Sequence, residues 1–329
     1  MSEMKKLISE FPNNFDEAKA IALGTKIQTP NNEIQNVIIC GMGGSGIGGD
    51  FVSKWLEDEI MVPIKIIKDY AIPAFVSKNS LVIGSSYSGN TEETLSAVEQ
   101  AIGKGAHVIG ITSGGKMKAL CESHGFDTII VPGGNPQRTA LAYSIFQLVN
   151  IFVKLGMADS QRLNELMIAQ ERIIKEESLI KELAVELANY LNGKVGILYG
   201  TSDFEPVLVR ARQQFNENSK ALSWHHVLPE MNHNELVGWG GGDSRFATVF
   251  FDTVGNHPRN NKRIEITKSK IKEKSTIHTI KAKGQSKIEQ SLYIVNIVDW
   301  ASLYLSELKE VDPVDIAVID FLKGELSRF

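Results

Sequence analysis

Long apolar runs, cysteine and surplus positive charge are all scarce in this chain of 329 residues. No apolar run reaches about 18 residues, the length a bilayer-spanning helix needs, so no membrane partner is expected. Cys40 and Cys121 are its only cysteines. One lies in an apolar run that reads as a strand and the other in a helical stretch, so they are expected to be inert core residues in a reducing compartment rather than a disulfide. With 35 Lys and Arg against 39 Asp and Glu, the net charge of -4 gives no basis for nucleic acid or an anionic membrane as partner. The charged first eleven residues lack the apolar stretch of an export signal, which suggests a soluble, cytoplasmic protein. Low-complexity segments are also missing.

What remains is 43% hydrophobic residues, enough for packed cores, in a length that fits two domains of roughly 150 residues. Residues 37–40 and 81–84 are short apolar runs that read as buried parallel strands. Each runs into a glycine- and hydroxyl-rich turn, Gly41-Met42-Gly43-Gly44-Ser45-Gly46 and Ser85-Ser86-Tyr87-Ser88-Gly89-Asn90-Thr91, and each turn leads into a helical stretch. Both turns are therefore expected at the carboxyl edge of one sheet. Bare backbone N–H groups, hydroxyls and helix amino ends would converge there on one phosphate, with Gly44, Ser45, Ser86, Ser88 and Thr91 as the binding set.

Alternation continues with strands at 107–112 and 128–131, helices at 92–103 and 117–124, and a long apolar helix at 139–155. This predicts an α/β doubly wound domain over 1–156. A polar helical stretch, 157–192, reads as a connector opening the second domain, 157–329. There the pattern restarts at 194–200, with strands at 246–251 and 276–280 and closing helices at 288–308 and 314–326. The second half looks like a copy of the first whose turns have lost most of their glycines, so the phosphate site is expected only in the first.

Two other chemistries fit parts of this pattern. Gly41-x-Gly43-x-x-Gly46 matches a dinucleotide fingerprint, with Asp69 placed as a ribose-binding acid. A second hydroxyl-rich nest beside the first suits a compact terminal phosphate better than a pyrophosphate, and Asp69 then reads as a solvated loop acid. Between Trp224 and Glu235, a loop-like stretch, three histidines and two carboxylates suggest zinc. Their spacing matches no helical metal motif, and adjacent His225 and His226 would point opposite ways on a strand, so they read as structural and no metal is assigned. Each serine or threonine, taken alone, could simply cap a helix.

The string Ser86-Tyr87-Ser88-Gly89-Asn90-Thr91 resembles the sugar isomerase (SIS) domain. Four further segments follow it in order: Asn135-Pro136-Gln137-Arg138, Phe215-Asn216-Glu217-Asn218-Ser219-Lys220, Pro229-Glu230-Met231-Asn232-His233-Asn234-Glu235, and Asp312-Pro313 with Phe321-Leu322-Lys323. The whole set is similar to the bifunctional phosphoglucose/phosphomannose isomerase family. That resemblance implies a metal-independent aldose–ketose isomerase without cofactor, acting on sugar phosphates as a homodimer. It implies that Glu217 is the base at carbons 1 and 2, that Arg138 steadies the enediolate, and that His233 and Lys323 open the sugar ring. It leaves open whether His233 acts in its own subunit or across the dimer. By residue type alone, Glu217 and Lys323 would be solvated helix residues and Arg138 a surface cation. A non-catalytic SIS sugar-phosphate regulator is the alternative; such a protein normally carries an effector domain, for which this chain shows no basic or spare segment.

Overall fold

The computed structural model describes residues 2–326 and 328, and the chain divides into two compact units. Residues 10–174 with 286–289 form the first; the described residues among 1–9, 175–285 and 290–329 form the second. Helix α1 (Glu3–Glu10) opens the chain.

In the first unit α2 (Asn14–Gly24) precedes β1 (Asn36–Cys40), α3 (Gly43–Trp55), β2 (Ile64–Ile67), β3 (Ser80–Ser85), α4 (Glu92–Gly103), β4 (His107–Thr112), α5 (Gly115–Ser123), β5 (Asp127–Ile130), α6 (Leu141–Lys154) and α7 (Gln161–Lys175). All five strands are parallel, in the order β2-β1-β3-β4-β5. Every residue of β1 and β3 is buried, which is why these runs show no polar alternation: a parallel strand covered on both faces has no wet side. Core packing around Ile38, Val82, Val98, Val108 and Met117 takes in both Cys40 and Cys121. Burial pushes the Cys40 thiol up to about 12 and raises that of Cys121, so both stay protonated and unreactive.

The second unit runs through α8 (Glu177–Leu191), β6 (Val195–Thr201), α9 (Glu205–Ser219), β7 (Ser223–Leu228), the single turn α10 (Glu235–Gly238), β8 (Phe246–Asp252), α11 (Pro258–Ile271), β9 (Ile277–Lys281), α12 (Lys287–Leu308) and α13 (Ala317–Leu326). Its four strands are parallel, in the order β7-β6-β8-β9, which repeats the first four positions of the other sheet. The architecture is thus two doubly wound α/β units.

The polar helical stretch after residue 160 comprises α7 and α8, separated at Glu176. One local expectation changes. The stretch expected as a loop around His225 and His226 begins as a strand. β7 is an edge strand whose half-exposed Ser223, His225 and His226 hide the apolar period; pairing with β6 holds it extended.

Candidate active site

β1 and β3 are direct neighbours, with Cys40 paired to Gly84, so the two turns that follow them leave the sheet side by side. The strand order reverses at this point, and doubly wound sheets bind ligands outside the carboxyl ends of such strands. α3 begins at Gly43 with no acidic residue in its first turn, leaving its amino-end amides uncompensated. α4 begins after Thr91 with Glu92 and Glu93, which already complement its dipole. The α3 end is therefore the stronger seat for an anion.

Ser45, 4% exposed, ties the two turns together. Its Oγ accepts from the Tyr87 amide at 3.1 Å and from Gln137 Nε2 at 2.7 Å, which leaves the hydroxyl proton to donate. In the second turn Ser86 Oγ donates to Thr91 Oγ1 at 3.0 Å and Ser88 Oγ accepts from the Asn90 amide at 3.2 Å. Glycine is required here by close approach. A Cβ on Gly46 would stand 2.4 Å from the Gly41 carbonyl oxygen, and one on Gly89, where φ is +71°, would stand 1.8 Å from that of Gly114.

Gln137 opens a single 3₁₀ turn, Gln137–Thr139, that packs against α3, and its side-chain amide also donates to the Met42 carbonyl at 3.2 Å. Arg138 lies on this turn and is 5% exposed, not the surface cation its type suggests. The residues expected to bind phosphate, and Arg138, thus all lie in the first unit.

Glu217, His233 and Lys323 belong to the second unit. Glu217 is half-buried in the last turn of α9. Lys220, left-handed at φ 47°, closes that helix and sends its ammonium to the carbonyls of Glu217 and Asp315, both at 2.8 Å, and of Asp312. The end of α9 is thereby tied to the segment that leads into α13, where Lys323 is exposed. His233 is exposed at the end of a 3₁₀ turn, Glu230–His233, which is pinned by fully buried Met231 and by Asn232 donating to Thr267 Oγ1 at 2.8 Å. The neighbouring carboxylates are engaged: Glu235 accepts from the Tyr199 hydroxyl and from Trp224 Nε1, and Glu230 from Asn234 Nδ2 at 3.0 Å.

The rival chemistries find less support in the geometry. The exposed Asp69 carboxylate accepts from the Tyr70 amide, a loop cap, and the Gln137 side chain crosses the glycine turn that a pyrophosphate would need open. His225 and His226 are adjacent on β7, and His226 Nδ1 is taken by the Val227 amide at 2.8 Å. Among the described residues no three His, Cys, Asp or Glu side chains are placed to hold a metal ion.

Residues 32–145 match the SIS domain family, and residues 180–326 match the bacterial phospho-glucose isomerase C-terminal SIS domain. A bifunctional phosphoglucose/phosphomannose isomerase of Caldicellulosiruptor bescii is 37% identical over 336 residues, 99% of each chain. One of Aquifex aeolicus is 37% identical over 333 residues, covering 100% of this chain and 99% of that protein. The chain belongs to this family. It is accordingly an isomerase with two SIS-type domains. A solved phosphosugar isomerase of Clostridium difficile 630, so described provisionally, shares the fold with a TM-score of 0.77 at 17% identity, over 96% of this chain and 95% of that one.

The sequence alone does not single out Tyr87 and Gln137 as candidate residues; in the fold, the Tyr87 amide and the Gln137 side chain both bond to the Ser45 hydroxyl. A larger cavity of the first unit, about 480 Å³, lies at the opposite sheet edge beside Ile34, Met61 and Met157. Its charged groups are already engaged, Lys154 by the Ala22 and Thr25 carbonyls and Glu59 by Arg162.

Half-buried histidines give the isomerase an acid limit. Burial holds His225 down to about 4, helped by Arg212 and His226, and also lowers His107 and His278. Their folded-state pKa values lie below the ordinary 6.5, so the unfolded chain binds protons more readily in that window. Stability should be full above pH 6.5 and fall as pH drops toward 4. Thermal unfolding across this range should show the decline, and His225→Gln should flatten it; an identical slope in the variant would remove His225 from the account.

Proposed function

We propose that this isomerase interconverts glucose 6-phosphate and mannose 6-phosphate with fructose 6-phosphate through a cis-enediol, working as a cytoplasmic homodimer. The cross-linked turns at the β1/β3 edge are the observation that supports this most: backbone amides, a proton-donating Ser45 and a helix end free of acidic residues suit a dianionic phosphate at the far end of a small sugar. Gly44, Ser45, Ser86, Ser88 and Thr91 hold that phosphate in this reading. The binding energy positions the reacting carbons.

Hexose phosphates are mostly closed rings, so protons must first move on and off the ring oxygen, the step assigned to His233 and Lys323. In the open chain Glu217 takes the proton from carbon 2 and returns it to carbon 1; a carboxylate partly withdrawn from water suits that task. The always-charged guanidinium of Arg138 steadies the enediolate oxygen without giving up a proton. Glucose and mannose phosphates differ only at carbon 2 and so collapse to the same enediol. One base then serves both sugars, provided the intermediate can turn its other face.

A coupled assay following fructose 6-phosphate formation from each aldose phosphate, with EDTA present, tests the proposal directly. Turnover of neither sugar would refute it. The phosphate seat has its own test. Ser45→Ala with Ser88→Ala should weaken substrate and inorganic phosphate in parallel by about 1–3 kcal/mol, through lost hydrogen bonds to a charged group. Unchanged calorimetric affinity for both would show that the phosphate binds elsewhere.

A further inference from the structure

The proposed chemistry leaves one buried polar structure unused. α9 and α12 are joined by a ladder of directional bonds. Arg210 Nη2 donates to both Asp299 oxygens at 3.1 and 2.9 Å, and Gln214 Nε2 donates to Asp299 Oδ1 at 2.8 Å. One turn further, Asn218 Nδ2 donates to Ser302 Oγ at 2.9 Å and Ser219 Oγ to the Ser302 carbonyl at 2.6 Å. Arg210 is 2% exposed and Asp299 3%. Burying such a pair costs desolvation that well-packed apolar residues would avoid, so its stabilising value is small. What it supplies is geometry, because a helix seated on apolar contacts can turn and slide whereas one held by bonds at three levels cannot.

Glu217 lies in phase with this ladder. Residues 210, 214 and 218 recur every four positions, and 217 falls three after Gln214 and seven after Arg210, so it rises from the same helix face at the end of the row. A rotation of about 20° would swing a side-chain tip about 2 Å, given the helix radius. A misplacement of about 1 Å at the reacting atoms can cost about a hundredfold in rate. We propose that Asp299, through Arg210 and Gln214, is a positioning group that fixes the rotation of α9 and so aims the Glu217 carboxylate. This rests on the reading of Glu217 as the base.

The test uses the full chain carrying Arg210→Met together with Asp299→Leu, which removes both charges and leaves neither partner stranded. Gln214→Met serves as a milder second variant that decides the matter if the double variant does not fold. For each, kcat, KM and the share of substrate hydrogen carried into product in deuterated water are measured. The expected result is a fall in kcat of at least about tenfold for both sugars with KM within about twofold, together with a smaller carried-over share, because a loosely aimed base exchanges its proton with solvent before returning it. A folded variant with parental kcat overturns the proposal. So does a lower kcat with the parental carried-over share, which would mean a smaller active fraction with a normally aimed base. Glu217→Gln is measured alongside. If that variant stays active, the base assignment itself fails; if it is inactive while the ladder variants behave like the parent, only the positioning role is lost.

Discussion

Glu217→Gln should lower isomerisation of glucose 6-phosphate and mannose 6-phosphate by at least about a hundredfold, because it removes the one base assigned to carbons 1 and 2. The substitution keeps side-chain shape and much of its hydrogen bonding. The end of α9 should also survive, since Lys220 fastens it through the Glu217 backbone carbonyl, which the substitution leaves in place. Substrate affinity should change little, since the proposal places the phosphate at the turns after β1 and β3. Both activities should fall together, because one enediol serves both. In deuterated water the parent should place deuterium at the exchanging carbon and the variant scarcely at all. A folded variant that still converts either sugar near the parental rate would sink the assignment. The base would then lie elsewhere, with Glu230 and Glu235 next in line; Glu235 already accepts from Tyr199 and Trp224, and Glu230 from Asn234.

The parts of the fold that could be read from sequence were those governed by local rules. Val37-Ile38-Ile39-Cys40 and Leu81-Val82-Ile83 announce strands because both faces of a central parallel strand are dry, and the glycines that follow announce turns because no other residue fits the close approaches at Gly46 and Gly89. β7 was not legible for the converse reason. At the sheet edge, a strand carrying Ser223, His225 and His226 owes its shape to its partner β6, which no local pattern records. The site divides the same way. Ser45 could be named from its turn, but the bonds that orient it come from Tyr87 and Gln137, 42 and 92 positions away in sequence. The α9–α12 ladder joins residues 83 to 89 positions apart, so it emerges only once both helices are in place.

Arg138 offers the second large effect and separates two jobs that a buried cation beside a phosphate site could do. It stands on the turn whose Gln137 amide bridges Met42 and Ser45, so by position it could grip the phosphate, stabilise charge that develops during the reaction, or both. The proposed mechanism assigns it the second job. Removing one donor aimed at a developing oxyanion typically costs about a hundred- to a thousandfold in kcat. Arg138→Met should therefore lower kcat by that order for both sugars with a much smaller change in KM, because an interaction made mainly in the transition state is lost. Arg138→Lys should recover only part of the rate, since an ammonium restores the charge but not the planar fork of donors. Arg138 is only 5% exposed, so the lysine variant also guards against a folding defect: it keeps a cation for whatever surrounds the guanidinium. Steady-state kinetics on variants whose thermal midpoints match the parent would decide the point. If KM rises with kcat preserved, Arg138 belongs to the phosphate seat, and the enediolate must be steadied by another group.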